Sequence, residues 1–239
     1  MMYNLVDKIK RYFTFSKEEI LAFVAASLVI GFMFAFREFT LFNLIMALGV
    51  VFASLLFHVS VQKIAALHDG YGAEFKIWWA GLLIGLAVTF ITNGRIWWAV
   101  FPGGIVFSML AMHRLGKFRY GMNYWPMGII AFSGPIASIV FGTIFKNINL
   151  YILGNSFPLF DKIFIFNLVL AATQMLPIPP LDGHYMFFAS RSAYAFLLGT
   201  IVIYVVLVLG LRIYSWIWAI IIGAIIWLVY YIKFERVAW

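Results

Sequence analysis

Long apolar runs, each close to the length of a membrane-spanning helix, recur along most of the chain. A helix needs about 20 mostly apolar residues to cross a bilayer, within a range of about 17–25. The runs that meet or approach this length are 20–36, 41–57, 78–92, 127–145, 163–177, 194–211 and 213–232. The second run continues as predicted helix to about residue 66. This pattern predicts an all-α polytopic membrane protein with six to eight transmembrane helices, closed by a helical hairpin at 194–232.

One apolar stretch, residues 96–112, does not read as a simple helix. It is interrupted by Phe101-Pro102-Gly103-Gly104, residue types that break helices. A broken helix, a re-entrant segment and a short β-ribbon all fit this pattern. We therefore expect a short β-like or re-entrant insert between residues 68 and 126. Because apolar residues continue along the whole sequence, a single transmembrane domain over 1–239 is expected.

Composition excludes a water-soluble domain. Hydrophobic residues make up 65% of the sequence and charged residues only 11%, whereas a soluble domain has about a quarter charged residues. The net charge of +8 is spread over short segments between apolar runs. It therefore indicates contact with the lipid bilayer and its anionic head groups, and no nucleic-acid partner. The absence of cysteine excludes disulfides and thiolate metal sites.

The distribution of basic residues predicts the orientation in the membrane. With the N-terminus in the cytoplasm, twelve of the 17 lysines and arginines lie in cytoplasmic segments. The five on the other side are Arg37, Arg95, Lys146, Lys162 and Arg212. The positive-inside rule thus favours a multi-pass protein of the cell membrane with both termini cytoplasmic. The prediction holds whether 78–92 and 96–112 both cross or form a dipping pair.

His58 is the first candidate functional residue. It follows the unbroken apolar run 50–57, and an ionisable group at membrane depth marks a functional site by default. The alternative is a neutral imidazole that is hydrogen-bonded to a neighbouring helix. Gln62 lies one turn further on the same helical face, so the two side chains predict a polar patch that faces protein.

Asp182 is the second candidate, at predicted depth similar to that of His58. It ends the block Leu176-Pro-Ile-Pro-Pro-Leu-Asp-Gly183, whose three prolines impose an extended path. Non-helical backbone at membrane depth persists only against protein or a water-filled cavity. The alternative is that Asp182 caps a helix that begins near Gly183.

Four segments together resemble the site-2 protease family, the intramembrane zinc metalloproteases, and especially its small archaeal-type members. Residues 58–65, followed by Tyr-Gly-Ala-Glu-Phe at 71–75, are similar to the segment that carries His-Glu-x-x-His. Pro102-Gly103, Ser133-Gly134-Pro135-Ile136-Ala137 and the block 176–183 resemble later elements in the same order. The resemblance covers a core of about residues 40–190.

The resemblance implies a site. In the family, two histidines one turn apart hold zinc, and the glutamate between them is the general base. An aspartate from the Asp-Gly block is the third ligand, and water takes the fourth position. His58 and Asp182 match the first histidine and the aspartate. Gly134, Pro135 and Gly183 match residues that line the site.

Four positions depart from the family pattern. The glutamate is Val59, the second histidine is Gln62, and two expected asparagines are Ser138 and Gln174. Valine cannot transfer a proton, and a neutral amide is a poor zinc ligand beside imidazole. We therefore expect zinc to be absent or weakly bound. The leading interpretation is a pseudoprotease with no catalytic residue, which binds transmembrane segments or a partner membrane protein.

Two other functions stay open at this stage. An active intramembrane zinc metalloprotease would need a rebuilt site from His58, Asp182 and His184, since His68 and His113 are expected in solvated loops. A small transporter or channel is disfavoured, because ion pathways place several charged groups inside spans and these runs contain almost none.

Overall fold

The fold is that of a computed structural model, which describes residues 2–110 and 123–235. Its strands are β1 (Tyr71–Ile77) and β2 (Gly103–Met109). Its helices are α1 (Met2–Tyr12), α2 (Lys17–Ala35), α3 (Leu41–Asp69), α4 (Trp79–Ile91), α5 (Tyr124–Asn147), α6 (Pro158–Gln174), α7 (Asp182–Ala189), α8 (Arg191–Leu211) and α9 (Trp216–Tyr230). Helices α8 and α9 pack on each other as the expected closing hairpin.

Five helical stretches of the described residues are long and apolar enough to cross a membrane. They are Lys17–Glu38, Leu41–Asp69, Tyr124–Ile152, Arg191–Leu211 and Trp216–Glu235. Helix α6 has 17 residues, at the short end of the spanning range. Helix α4 has 13 residues and is about 20 Å long, which is too short for a hydrocarbon layer of about 30 Å. The prediction of an all-α polytopic membrane protein is confirmed.

Residues 96–110, the described part of the stretch 96–112, do not form a crossing helix. Their central part is β2, which pairs antiparallel with β1, so that Ile77 lies opposite Gly103. The N–H of Trp78 donates to the carbonyl of Pro102 at 3.1 Å and closes the ribbon. Residues 78–102 therefore begin and end beside the ribbon. The chain runs away from the ribbon as α4 and comes back along 92–102. The β-ribbon is the correct one of the three alternatives, and the expected insert is confirmed.

Two glycines at the start of β2 allow its close packing. Gly103 has φ +133°, and a Cβ there would overlap the carbonyl of Lys76. A Cβ on Gly104 would overlap the carbonyl of Pro180. Strand β2 therefore lies directly against the non-helical chain that leads into Asp182.

Side chains satisfy the outer edges of the ribbon. On β1, the N–H of Phe75 donates to Oε1 of Glu19 at 2.8 Å. On β2, Gln174 Nε2 donates to Gly103 O at 2.9 Å, and the Tyr185 hydroxyl donates to Ile105 O at 3.1 Å. Free strand edges pair with other chains, and unpaired backbone is costly in a bilayer. These three bonds join the ribbon to α2, α6 and α7.

Glu19 also forms a buried ion pair. Its Oε2 lies 2.8 Å from Nζ of Lys63, and both side chains are less than a tenth exposed. The same oxygen accepts from the N–H of Ser16, within a capping box that begins α2. Lys63 further donates to Thr14 O at 2.8 Å and lies 4.7 Å above the ring of Phe15. The pair fixes the start of α2 against α3.

Several predicted boundaries were wrong. Helix α3 runs to residue 69, so His68 lies in its last turn, exposed beside Asp69, and not in a loop. Helix α6 begins five residues before the predicted run, at Pro158. The predicted loop residue His113 and four of the twelve basic residues assigned to the cytoplasm, Arg114, Lys117, Arg119 and Arg236, lie outside the described residues.

The ion pair generates a first prediction. Glu19→Ala leaves the Lys63 ammonium buried without a partner and removes the bond to Phe75, so it should lower the free energy of unfolding by about 3–5 kcal/mol. Glu18→Ala is the matched control, because Glu18 is an exposed carboxylate in the same first turn. Denaturation in detergent measures both. Equal effects of the two variants would contradict a role for the buried pair.

Candidate functional site

His58 lies at the meeting point of α3, α5 and α7. Its Nε2 is 2.8 Å from Oδ2 of Asp182, and its Nδ1 is 2.8 Å from Oγ of Ser138. All three residues are at most 1% exposed. The structure thus brings together His58 and Asp182, 124 positions apart in sequence, as expected from their predicted depth. With Asp182 ionised, Nε2–H donates to the carboxylate and the Ser138 hydroxyl donates to Nδ1.

Asp182 does not cap a helix. Helix α7 begins at Asp182 itself, its N-cap position is Leu181, and no side chain makes a capping bond there. The carboxylate turns to His58 instead, so the alternative of a helix cap was wrong. A Cβ on Gly183 would overlap the carbonyl of Met175, so this glycine lets α7 pack against the end of α6.

Gln62 donates a hydrogen bond to a backbone carbonyl of α5 that has no helical donor, because a proline follows four residues later. In a regular helix the N–H of residue 135 would donate to the carbonyl of residue 131, but Pro135 has no N–H. Gln62 Nε2 donates to that carbonyl, Ala131 O, at 3.0 Å. The signal for this contact is a proline inside a helix opposite a buried amide.

Gly134 makes room for the two polar side chains of α3. A Cβ at this position would overlap Nε2 of both His58 and Gln62. Helices α3 and α5 therefore pack closely at the polar cluster. Gly134 makes room for the α3 side chains because it has no side chain of its own. Pro135 leaves Ala131 O free to accept from Gln62 because it has no N–H.

Val59 and Gln174 do not join the cluster. Val59 is 1% exposed and belongs to the apolar core. Gln174 uses its amide nitrogen on the β2 carbonyl, and its Oε1 is buried without a partner in the described part of the chain. Gln174 therefore supports the ribbon and does not contact His58.

His184 points away from His58 and Asp182. Residues 182 and 184 lie about 200° apart around a helix, so their side chains face opposite sides. The His184 ring packs on Phe188 and Tyr185, with centroid distances of 4.8 and 5.5 Å. Partial burial lowers the pKa of His184. Across 5–110 and 123–235, no group of three His, Asp or Glu is arranged to hold a metal ion.

Two further polar residues extend the cluster, and sequence analysis missed them. Asn167 Nδ2 donates to Ser54 Oγ at 2.8 Å, and Ser54 lies one turn before His58. Ser54, His58 and Gln62 thus form a buried stripe with a spacing of four residues. The spacing of the α3 residues could have predicted the stripe from the sequence, but nothing in the sequence predicted their partner on α6.

Tyr185 lies close to Asp182. Burial, and then the negative charge of Asp182, raise the pKa of Tyr185.

The donor set does not fit a catalytic zinc. Such a zinc takes three protein ligands at about 2.0–2.2 Å and one water. This site offers His58 and Asp182, which are hydrogen-bonded to each other, and at Gln62 only a neutral amide oxygen, a poorer zinc ligand than imidazole. Asp182 Oδ1 is a buried acceptor without a partner among the described residues. One free carboxylate oxygen does not replace a missing imidazole.

Comparison with known proteins supports a metalloprotease relationship. Over 175 residues the chain is 29% identical to a protein of Methanocaldococcus jannaschii named as a putative zinc metalloprotease. The alignment covers 72% of this chain and 84% of that protein. No family model and no solved structure matches the chain. The likeness therefore extends over most of both proteins and agrees with a protease-like membrane protein.

The close approach at Gly134 gives a second prediction. Gly134→Ala forces a methyl group into His58 and Gln62, and overpacking of this kind costs about 1–3 kcal/mol of stability. Gly49→Ala on α3 is the matched control, since nothing lies within 4 Å of its Cβ position. Thermal unfolding in detergent checks both. An unchanged melting temperature for Gly134→Ala would show that the helices separate easily there.

Proposed function

We propose that this protein is a non-catalytic member of the site-2 protease type, which binds a transmembrane segment or a partner membrane protein without cleaving it. The observation that carries the proposal is the direct bond between His58 and Asp182. The two side chains that would hold a metal satisfy each other, while Val59 and Gln62 occupy the positions of the base and of a ligand.

The first argument concerns metal binding. When Nε2–H of His58 donates to Asp182, that nitrogen has no lone pair for a metal. Zinc would have to break this bond and compensate for it with fewer ligands than usual. Even changes in the groups that surround ligands weaken metal binding about 10–100-fold. Loss of a ligand should weaken it at least as much.

The second argument concerns proton transfer. General acid–base catalysis contributes about 10²–10⁴-fold, and Val59 contributes none of it. All nine carboxylates of the sequence lie within the described residues, and Asp182 is the one that contacts His58. Glu19, another buried acid, is bound to Lys63 and to β1. No substitute for the general base is therefore within reach of His58.

The third argument concerns what remains. The His58 cluster joins α3, α5 and α7, and the ribbon lies against the chain that leads into α7. These contacts preserve a helix arrangement around the former reaction centre without its chemistry. Binding of a hydrophobic helix needs such a scaffold but needs no base.

Purified protein should therefore not hydrolyse peptide bonds. We expect no cleavage of a labelled single-span membrane peptide in zinc-containing detergent or nanodiscs, since no group can activate water. The same peptide, labelled for fluorescence, should bind and be recovered intact. Chelator-sensitive cleavage that is lost in both His58→Ala and Asp182→Ala would overturn the proposal. Absence of both binding and cleavage would overturn its binding part.

A substitution that restores the third ligand tests the metal argument separately. Gln62→His places a second imidazole one turn from His58 and should increase zinc affinity at least about tenfold. Val61→His is the matched control, because it adds an imidazole about 100° away on the helix. Zinc content after dialysis is the measurement.

The outcome separates two explanations. If Gln62→His gains zinc and Val61→His does not, the missing ligand explains weak binding. Addition of Val59→Glu should then allow chelator-sensitive cleavage to be sought in the same assay. If the unsubstituted protein already retains zinc at one ion per chain, the proposal fails.

A further inference from the structure

A cleft lies at the end of the molecule opposite to the β-ribbon, and His58 does not line it. It is formed by the end of α2, the start of α3, the turn at 94–97 and the start of α6. Its volume is about 160 Å³. Pockets for drug-sized ligands measure about 300–1,000 Å³. The cleft therefore suits a small group, or the end of a larger molecule.

Basic side chains dominate the rim of this cleft. Arg37, Arg95 and Lys162 line it together with a single acid, Glu38. In the part of the chain that the structure describes, these three cations make no ion pair within 4.0 Å. They are three of the five basic residues that the charge pattern assigns to this side. Clustered like charges repel each other, so their convergence favours an anionic occupant.

The backbone fixes two of these cations next to each other. Gly94 has φ +74°, and a Cβ there would lie 3.0 Å from the Phe36 ring and 3.4 Å from the backbone of Arg37. The turn therefore packs onto the end of α2 and carries Arg95 to the side of Arg37. A residue other than glycine would be strained at this φ and would crowd the Phe36 ring.

The cleft lies at the depth of lipid head groups. The helical stretch Lys17–Glu38 has 22 residues and is about 33 Å long, close to the thickness of the hydrocarbon layer. Arg37 therefore reaches the interface when Lys17 lies at the opposite one. The floor of the cleft is apolar and is directed toward the hydrocarbon depth, with Phe34, Met46 and Val50 among its residues.

We propose that this cleft binds the phosphate of an anionic phospholipid in the leaflet opposite to the β-ribbon. The basic rim matches the phosphate, and the apolar floor matches the beginning of the acyl chains. Free phosphate is also an anion but would leave that floor uncovered. The site is independent of the function proposed above, since it shares no residue with the His58 cluster.

Native mass spectrometry of the full-length protein with added phosphatidylglycerol tests the proposal. One tightly bound lipid per chain is expected, and Arg37→Gln, Arg95→Gln and Lys162→Gln together should weaken its binding about tenfold or more. The control carries Lys10→Gln, Lys17→Gln and Lys233→Gln, which remove the same charge from exposed sites elsewhere. It should keep the lipid. Equal loss in both triple variants would reveal unspecific attraction and overturn the site.

A second arm separates lipid from free anion. Inorganic phosphate at the lipid concentration should not displace phosphatidylglycerol, because it makes no contact with the apolar floor. Displacement by inorganic phosphate would overturn the lipid assignment. Circular dichroism of both triple variants should match that of the unsubstituted protein, since the substituted rim side chains are exposed or half-buried.

Discussion

Inside a bilayer every buried polar group must find a protein partner, because lipid offers none. This requirement explains the polar contacts between the helices of this chain. His58 uses both ring nitrogens, on Asp182 and Ser138. The ribbon edges are closed by side chains from three helices. A few buried oxygens, such as Asp182 Oδ1, have no hydrogen-bond partner among the described residues.

The same requirement bears on the function proposed above, in which His58 and Asp182 are what remains of a metal site. A histidine and an aspartate that lost their metal would each be a buried polar group with a large desolvation cost. Their direct bond removes most of that cost, and Ser138 satisfies the remaining ring nitrogen. A former active site can therefore persist as a cross-link between helices. Helix packing explains the presence of His58 and Asp182 as well as metal chemistry does. The number of metal-ligand donors in the site distinguishes the two explanations.

Much of this arrangement could be predicted from sequence, and the exceptions share a cause. Long apolar runs define the spanning helices, and the ordered motifs predict that His58 and Asp182 meet. Apolar content does not distinguish a returning strand from a helix, so 96–112 stayed ambiguous. The bonds from Gln62 to Ala131 and from Gln174 to Gly103 depend on which carbonyls lack a partner. Pro135 accounts for the free carbonyl at Ala131, but which side chain faces each free carbonyl is decided only when the helices and the ribbon pack together.

The ribbon also has a consequence for how the chain is threaded through the membrane. Because β1 and β2 bring residues 77 and 103 side by side, the intervening segment begins and ends at one place. Its length and composition therefore do not affect the side from which α5 enters. Evolution could lengthen, shorten or replace α4 without inverting the helices that follow. The segment between residues 77 and 103 is therefore an insertion that does not set the orientation of the helices that follow it.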